Sequence, residues 1–323
     1  MAAVTRMKGG IDLGGTKIQA VVTDGEAAVL GSARRDTPRK GGPPAVAFEL
    51  AETLRAALDD AGVEPMGLAG IGIGAPGSID AETGTVLQVA NIDGWDSPFE
   101  LGPALAEELG RPVRIGNDVS VAVDAEHRFG AGRGLDSFLG VFWGTGVGGG
   151  LMFDGKPWLG RGAAGEIGHM VIKRGGARCP CGRRGCVEAY AGRGAMEARA
   201  NHLHEKGQKT DLFEIMRDHG HDRLTSGIWE RALKHKDPMA EKLIKRALKA
   251  LGAGIASACN LIDPEAVIIG GGLGVRFGES YMEKIHAQTI PHLFVGEANA
   301  PAMRVAELGD LGGAIGASLL FAR

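Results

Sequence analysis

Two segments of this 323-residue chain match at a shift of 130 positions, and that repeat limits the possible folds more than any other feature. GIDLGGTKIQAVVTDG at 10–25 aligns with GVFWGTGVGGGLMFDG at 140–155, so Gly14 falls on Gly144, Asp24 on Asp154 and Gly25 on Gly155. Each segment reads as a strand, a glycine turn and a returning strand. After the first turn Ile18, Ala20 and Val22 alternate with period two, which predicts a β-hairpin rather than the strand-to-helix entry of a dinucleotide fold. The Walker spacing GxxxxGK[ST] is missing as well. With 54 glycines, chance likeness between glycine turns is the competing explanation.

Between and beyond the hairpins the pattern is α/β. Pro44 to Ala61 predicts an amphipathic helix with Ala47, Leu50, Ala51, Leu54 and Leu58 on one stripe and Gly62 as its stop. A second helix runs from Pro238 to about Asn260, with Cys259 as a core thiol beside its apolar stripe. Short buried strands are expected at Ala69–Ile73, Val113–Ile115 and Ala266–Ile269, each leading into a glycine or Asn/Asp turn, where α/β sites sit. Residues 201–236 are polar and His-rich and read as surface helices without assigned chemistry.

The length suggests two domains, and 44% hydrophobic residues can fill both. A net charge of −3 argues against a nucleic-acid footprint, leaving Arg34-Arg35 and Arg183-Arg184 as solvated surface. No apolar signal core opens the chain, and Asn260, Asp263, Pro264 and Glu265 break its most apolar stretch, so neither secretion nor a membrane partner is expected. Clustered reduced thiols point to the cytoplasm.

Those thiols lie in residues 165–188, GEIGHMVIKRGGARCPCGRRGCVE. Cys179, Cys181 and Cys186 with His169 form a three-sulfur, one-nitrogen set suited to a closed structural Zn²⁺ site. Gly182 and Gly185 permit the tight turns that bring Cys181 and Cys186 to one metal. A disulfide or plain buried thiols are the alternatives. Cys179 and Cys181 sit too close in sequence to pair comfortably, and an odd trio favours a metal.

Gly14, Gly15, Thr16 and Lys17 present backbone N–H groups, a hydroxyl and an ammonium in one turn; the second hairpin presents Gly144, Thr145 and Gly146. Two such turns suit a phosphate chain. Asp12 is placed to orient Mg²⁺ through water, or merely to cap its turn. Gly270-Gly271-Gly272 follows a buried strand and reads either as a bare-backbone surface for adenine or ribose, with Gly271 and Gly272 as contacts, or as a helix-entry turn. Asp118 follows the strand Val113–Ile115 and reads as a general base for a hydroxyl or as a helix N-cap. Asn91 reads hydroxyls or shapes its loop.

Taken in order, DLGGTK at 12–17, GAPGSID at 74–80, NIDGW at 91–95, ND at 117–118, GTGVGGG at 144–150, GEIGH at 165–169, CPCGRRGCVE at 179–188 and GGGLG at 270–274 resemble the ROK family of sugar kinases over nearly the whole chain. The resemblance implies an actin-like (RNase H-like) two-domain ATPase fold. A small α/β domain over 1–120 would be completed by a C-terminal helix at about 311–323, and a large domain over 121–310 would carry the zinc motif. It also implies Asp118 as base, and Asn91, Asn117, Glu166, His169 and Glu188 as sugar-hydroxyl contacts, with His169 serving both metal and sugar. The implied activity is ATP-dependent phosphorylation of a hexose at its 6-hydroxyl, glucose first, with fructose, mannose, allose or an N-acetylated amino sugar as alternatives. A homo-oligomer, dimer or tetramer, is implied too. Family members that regulate transcription place a helix-turn-helix ahead of this core. With the first strand expected by about Lys8, an enzyme is expected instead.

Overall fold

The protein is described here by a computed structural model covering residues 7–89, 92 and 94–321. Contacts divide the chain into two units, one of residues 1–134, 156–164 and 307–323, the other of residues 135–155 and 165–306. The first opens with the expected hairpin, β1 (Met7–Leu13) and β2 (Lys17–Thr23), followed by β3 (Val29–Asp36) and helix α1 (Gly42–Ala61). The predicted stripe Leu50, Ala51, Leu54 and Leu58 is buried, and Gly62 ends the helix in a left-handed conformation at φ 65°, its N–H bonded to Asp59 O. Next come β4 (Leu68–Ala75), the short pair β5 (Ser78–Asp80) and β6 (Thr85–Gln88), α2 (Leu101–Leu109), β7 (Val113–Asn117) and α3 (Asp118–Phe129). The sheet order is β3-β2-β1-β4-β7, antiparallel through the hairpin and parallel from β1 to β7.

The second unit repeats this plan. Its hairpin is β8 (Phe138–Trp143) and β9 (Val147–Phe153). After the two-residue β10 (Lys156–Pro157) of the first unit, the chain continues through α4 (Glu188–Ala191), α5 (Arg193–Glu205), α6 (Leu212–Asp218), α7 (Ser226–Lys234) and α8 (Pro238–Ile262). Strand β11 (Ala266–Gly270), α9 (Gly271–Thr289) and β12 (Ala302–Val305) complete it. The order β9-β8-β11-β12, with an antiparallel hairpin and parallel β8, β11 and β12, copies β2-β1-β4-β7. One difference lies in the turns. Leu13 pairs with Ile18 but Trp143 pairs with Val147, so the second turn is one residue tighter. The helix expected from Pro238 starts there, capped by Asp237, whose Oδ1 accepts from Ala240 N at 2.7 Å, and Cys259 is buried beside its stripe. Residues 201–236 are not merely surface: α7 buries Ile228 and Trp229 completely.

The last segment belongs to the first unit, where α10 (Gly312–Ser318) packs on β1, β2, β4 and α3. The contact division falls after Gly134, whereas the expected boundary at 120/121 would cut the first turn of α3. That helix stays with the first sheet because Ala125 shares a cluster with Val21, Ala314, Ile315 and Leu319. Buried Glu126 holds the returning chain: Oε2 accepts from Ala131 N (2.9 Å) and Glu307 N (3.1 Å), and Oε1 from Leu308 N (2.9 Å). Helix α10 lies directly on backbone, since a Cβ at Gly10 would overlap the Ala314 carbonyl and one at Gly72 the Ala317 carbonyl. Gly72→Ala is therefore expected to destabilise the protein by about 3 kcal/mol through overpacking. An unchanged urea-denaturation midpoint would contradict this close approach.

Candidate active site

In the first unit the loop from Gly14 to Lys17 closes with Gly14 N–H donating to Lys17 O at 2.9 Å. Thr37, just past β3, braces it: its hydroxyl donates to Gly14 O at 2.6 Å and its N–H to Thr16 O at 3.3 Å. Lys17 Nζ lies 3.0 Å from Asp310 Oδ2, so the ammonium expected for phosphate already has a carboxylate neighbour. Asp12 ends its strand beside these groups. Burial, with the charge of Asp118 adding to it, pushes the Asp12 carboxyl up to about 7; Lys17 opposes the shift and Asp310 adds to it.

At β7–α3 the cap is the neighbouring residue, not Asp118. Asn117 is the N-cap, its Oδ1 accepting from Val119 N (3.1 Å) and Ser120 N (3.0 Å). Asp118 becomes the first helical residue, with Oδ1 accepting from Val119 N at 2.9 Å. Two adjacent polar residues thus divide the work, and the Asn117 amide nitrogen is the part suited to donate to a hydroxyl. Asn91 lies outside the described residues.

In the second unit Gly144 N–H donates to Gly146 O at 3.0 Å, and the α4–α5 junction wraps the turn. Arg193 N–H donates to Gly144 O, Gly194 N–H to Thr145 O, each at 3.0 Å, and Arg193 Nη2 to Thr145 Oγ1 at 2.8 Å. Arg193 is buried, with Nη1 donating to Leu224 O at 3.1 Å, and burial pulls its pKa below the ordinary guanidinium range. Since a guanidinium only donates, Thr145 Oγ must accept, and its own proton is directed elsewhere. Glu188 Oε2 accepts from Val147 N at 2.9 Å, and a Cβ on Gly146 would strike that carboxylate. The third glycine turn is the helix entry: Gly271 and Gly272 begin α9, and Gly271, at φ +79°, has no room for a Cβ against the Trp143 backbone.

The predicted metal ligands converge. One donor atom from each of His169, Cys179, Cys181 and Cys186 lies within 4.8 Å of every other. Gly182 and Gly185 both take φ +86°, as the turns between the cysteines require. Cys181 and Cys186 sulfurs are 3.8 Å apart, far beyond a disulfide bond but close to the roughly 3.8 Å edge of a tetrahedron with 2.3 Å Zn–S bonds. Burial pushes the Cys179 and Cys186 thiols up. At Cys181 burial is outweighed by hydrogen bonds from Arg183 and the other two thiols, and its pKa falls to about 6. This donor set is compatible with zinc. His169 Nδ1 faces Cys179 Sγ at 3.8 Å, while Nε2 faces Glu166 Oε2 at 3.9 Å, so the ring has one side for the sulfurs and one for Glu166. Glu188 Oε1 lies 3.6 Å from Cys179 Sγ, which sets this carboxylate between the cysteines and the second turn in addition to its expected sugar role. Arg193, Thr37 and Asp310 were not singled out by sequence; Arg193 alone had a signal, a charged residue just past the motif ending at Glu188.

The ROK family profile matches residues 8–323. A glucokinase of Halalkalibacterium halodurans is 32% identical over 313 residues, 96% of this chain and 93% of that protein. An N-acetylgalactosamine kinase of Shewanella sp. (strain ANA-3) is also 32% identical, with 96% and 95% covered. The crystal structure of a ROK family glucokinase from Streptomyces griseus in complex with glucose and AMPPNP superposes with a TM-score of 0.82 at 33% identity, covering 97% of this chain and 98% of that one. The duplicated sheets are thus the actin-like ATPase fold shared by these sugar kinases.

The raised pKa of Asp12 has a sign that can be checked. Between about pH 4 and pH 7 the unfolded chain releases this proton while the folded protein keeps it, so the contribution of Asp12 to stability is present below that window and lost as pH rises through it. Asp12→Asn should therefore gain stability relative to wild type from pH 4 to pH 7 and show a constant difference above. Urea midpoints measured in metal- and nucleotide-free buffer test this, and a difference independent of pH would refute it.

Proposed function

The chain belongs to the ROK family, and from that premise we propose that it is a sugar kinase transferring the γ-phosphoryl group of ATP to the 6-hydroxyl of a hexose, with glucose as the preferred acceptor. The observation that carries this reading is Asp118, set on the first turn of α3 directly after the capping residue Asn117, with Oδ1 accepting from Val119 N. Its carboxylate accepts the proton of the 6-hydroxyl as that oxygen bonds to the γ-phosphorus and the bond to the bridging oxygen of ADP breaks. Gly14 to Lys17 and Gly144 to Gly146 supply backbone N–H groups to the phosphates, with the Thr145 hydroxyl oriented by Arg193. Asp12 would hold Mg²⁺ through water, and that ion would offset charge on the phosphates. Asn117, Glu166, His169 and Glu188 read the ring hydroxyls, and Asn91 joins them in this reading. Zinc on His169 and the three cysteines would order the loop from which Glu166 and Glu188 project. A cytoplasmic homo-oligomer belongs to the same proposal and rests on the family membership alone; light scattering tests the assembly.

A second acceptor class, N-acetylated hexosamines, is favoured by the N-acetylgalactosamine kinase relative at the same identity as the glucokinase. Coupled ADP-release assays over glucose, mannose, fructose, N-acetylglucosamine and N-acetylgalactosamine decide between them. Glucose should lead, because a missing or inverted hydroxyl leaves a polar group that the bound sugar covers without its partner, at about 1–3 kcal/mol. A tenfold higher kcat/KM for another sugar would retire glucose. In the same assay Asp118→Asn should lower kcat by about two orders of magnitude or more with sugar binding retained; near wild-type turnover would remove Asp118 as base.

For the metal, elemental analysis should find one zinc per chain, and Cys181→Ala should lower both metal content and the melting temperature. Metal-free protein with full activity and unchanged stability would overturn the zinc assignment.

A further inference from the structure

The side of α8 opposite its buried stripe carries Lys242, Lys245, Arg246 and Lys249, at spacings that place all four on one helical face. Together with Lys173, from the stretch between His169 and the cysteines, they line a cavity of about 450 Å³ in the second unit, and Tyr190 forms part of its wall. Among the described residues none of these five cations is in an ion pair. Elsewhere in this net-acidic chain Arg55, Arg128, Lys234 and Arg276 each lie within 3.2 Å of a carboxylate. Four like charges on one face destabilise a helix by mutual repulsion unless an anion sits among them.

One wall of the cavity is already rigid. The Arg246 guanidinium lies 4.5 Å over the Tyr190 ring, and the Tyr190 hydroxyl accepts from Ala177 N at 2.8 Å. The same ring packs against the cluster of Cys179, Cys186 and Ala189. Lys173 N–H donates to Gly185 O at 3.2 Å, so the stem of the fifth cation is tied to the turn between the cysteines. None of the lining residues belongs to either phosphate turn or to the sugar-reading set.

We propose that this cavity is a second anion site, taking a compact molecule with two or three linked phosphoryl groups and clamping α8 to the cysteine-bearing loop. A volume of about 450 Å³ suits a small ligand. Five uncompensated cations call for more negative charge than a single phosphate carries. The linked phosphates have two sources, a nucleoside diphosphate or an inorganic polyphosphate.

Deuterium uptake of the intact protein is followed while inorganic tripolyphosphate or ADP is titrated in. Tripolyphosphate should slow exchange across 172–190 and 242–250, and Lys245→Gln/Lys249→Gln should weaken that protection about tenfold or more, with salt doing the same. Both lysines are exposed, so the fold and the turnover without added anion should survive the substitution. Equal protection by ADP identifies a nucleotide as occupant, and protection by tripolyphosphate alone an inorganic chain. Protection by neither probe, or protection that the double substitution leaves unchanged, overturns the proposal.

Discussion

The carboxylate of Glu188 is the contact on which the second unit's chemistry hangs. One oxygen takes the N–H of Val147, where the tighter turn re-enters its strand, and the other lies 3.6 Å from the Cys179 sulfur. A single side chain therefore stands between the exit of the second glycine turn and the His/Cys cluster, and a Cβ on Gly146 would strike that carboxylate. Val187, one residue earlier, closes the same arrangement by donating to Met170 O at 3.0 Å. Loss of order in the cysteine loop would reach the turn through Glu188, whose bond to Val147 N–H holds the strand entry.

Arg193 shows what it takes to hold a short glycine turn still. Burying a guanidinium is unfavourable, and the Arg193 pKa is lowered by that burial, against the opposing charge of Glu197. The group is retained where its backbone and side chain bond successive residues, Gly144 and Thr145, of one turn. The first turn reaches a similar end by different means, with Thr37 bonded to both Gly14 and Thr16. Duplication kept the strand order while the braces diverged.

How much of this was legible in the sequence depended on range. The hairpins, the α8 stripe and the metal ligands are written in short stretches, and 169–186 holds a complete donor set, so local pattern sufficed. The Arg193 to Thr145 bond spans 48 positions and leaves no periodic trace. At Asn117-Asp118 two cap-competent residues stand side by side, and which one caps is settled only by where β7 ends. The slip in pairing between the two hairpins was hidden by an alignment that matched their strands residue for residue. Trp229 lies in a stretch whose average polarity concealed a fully buried indole. The raised pKa of Asp12 arises from burial first and the charge of Asp118 second, and neither can be summed from neighbours in the chain.

The return of residues 307–321 onto the first sheet also orders events during synthesis. Strands β1 and β4 leave the ribosome more than 200 residues ahead of the helix that covers Gly10 and Gly72. Until it arrives, one face of that sheet is bare backbone and small side chains with nothing to shield them from other nascent chains. The second unit lies wholly between these pieces in the sequence and can complete its core while the first still waits. The unit begun first is thus completed only after the second has been made, and its sheet stays open on one face for that interval.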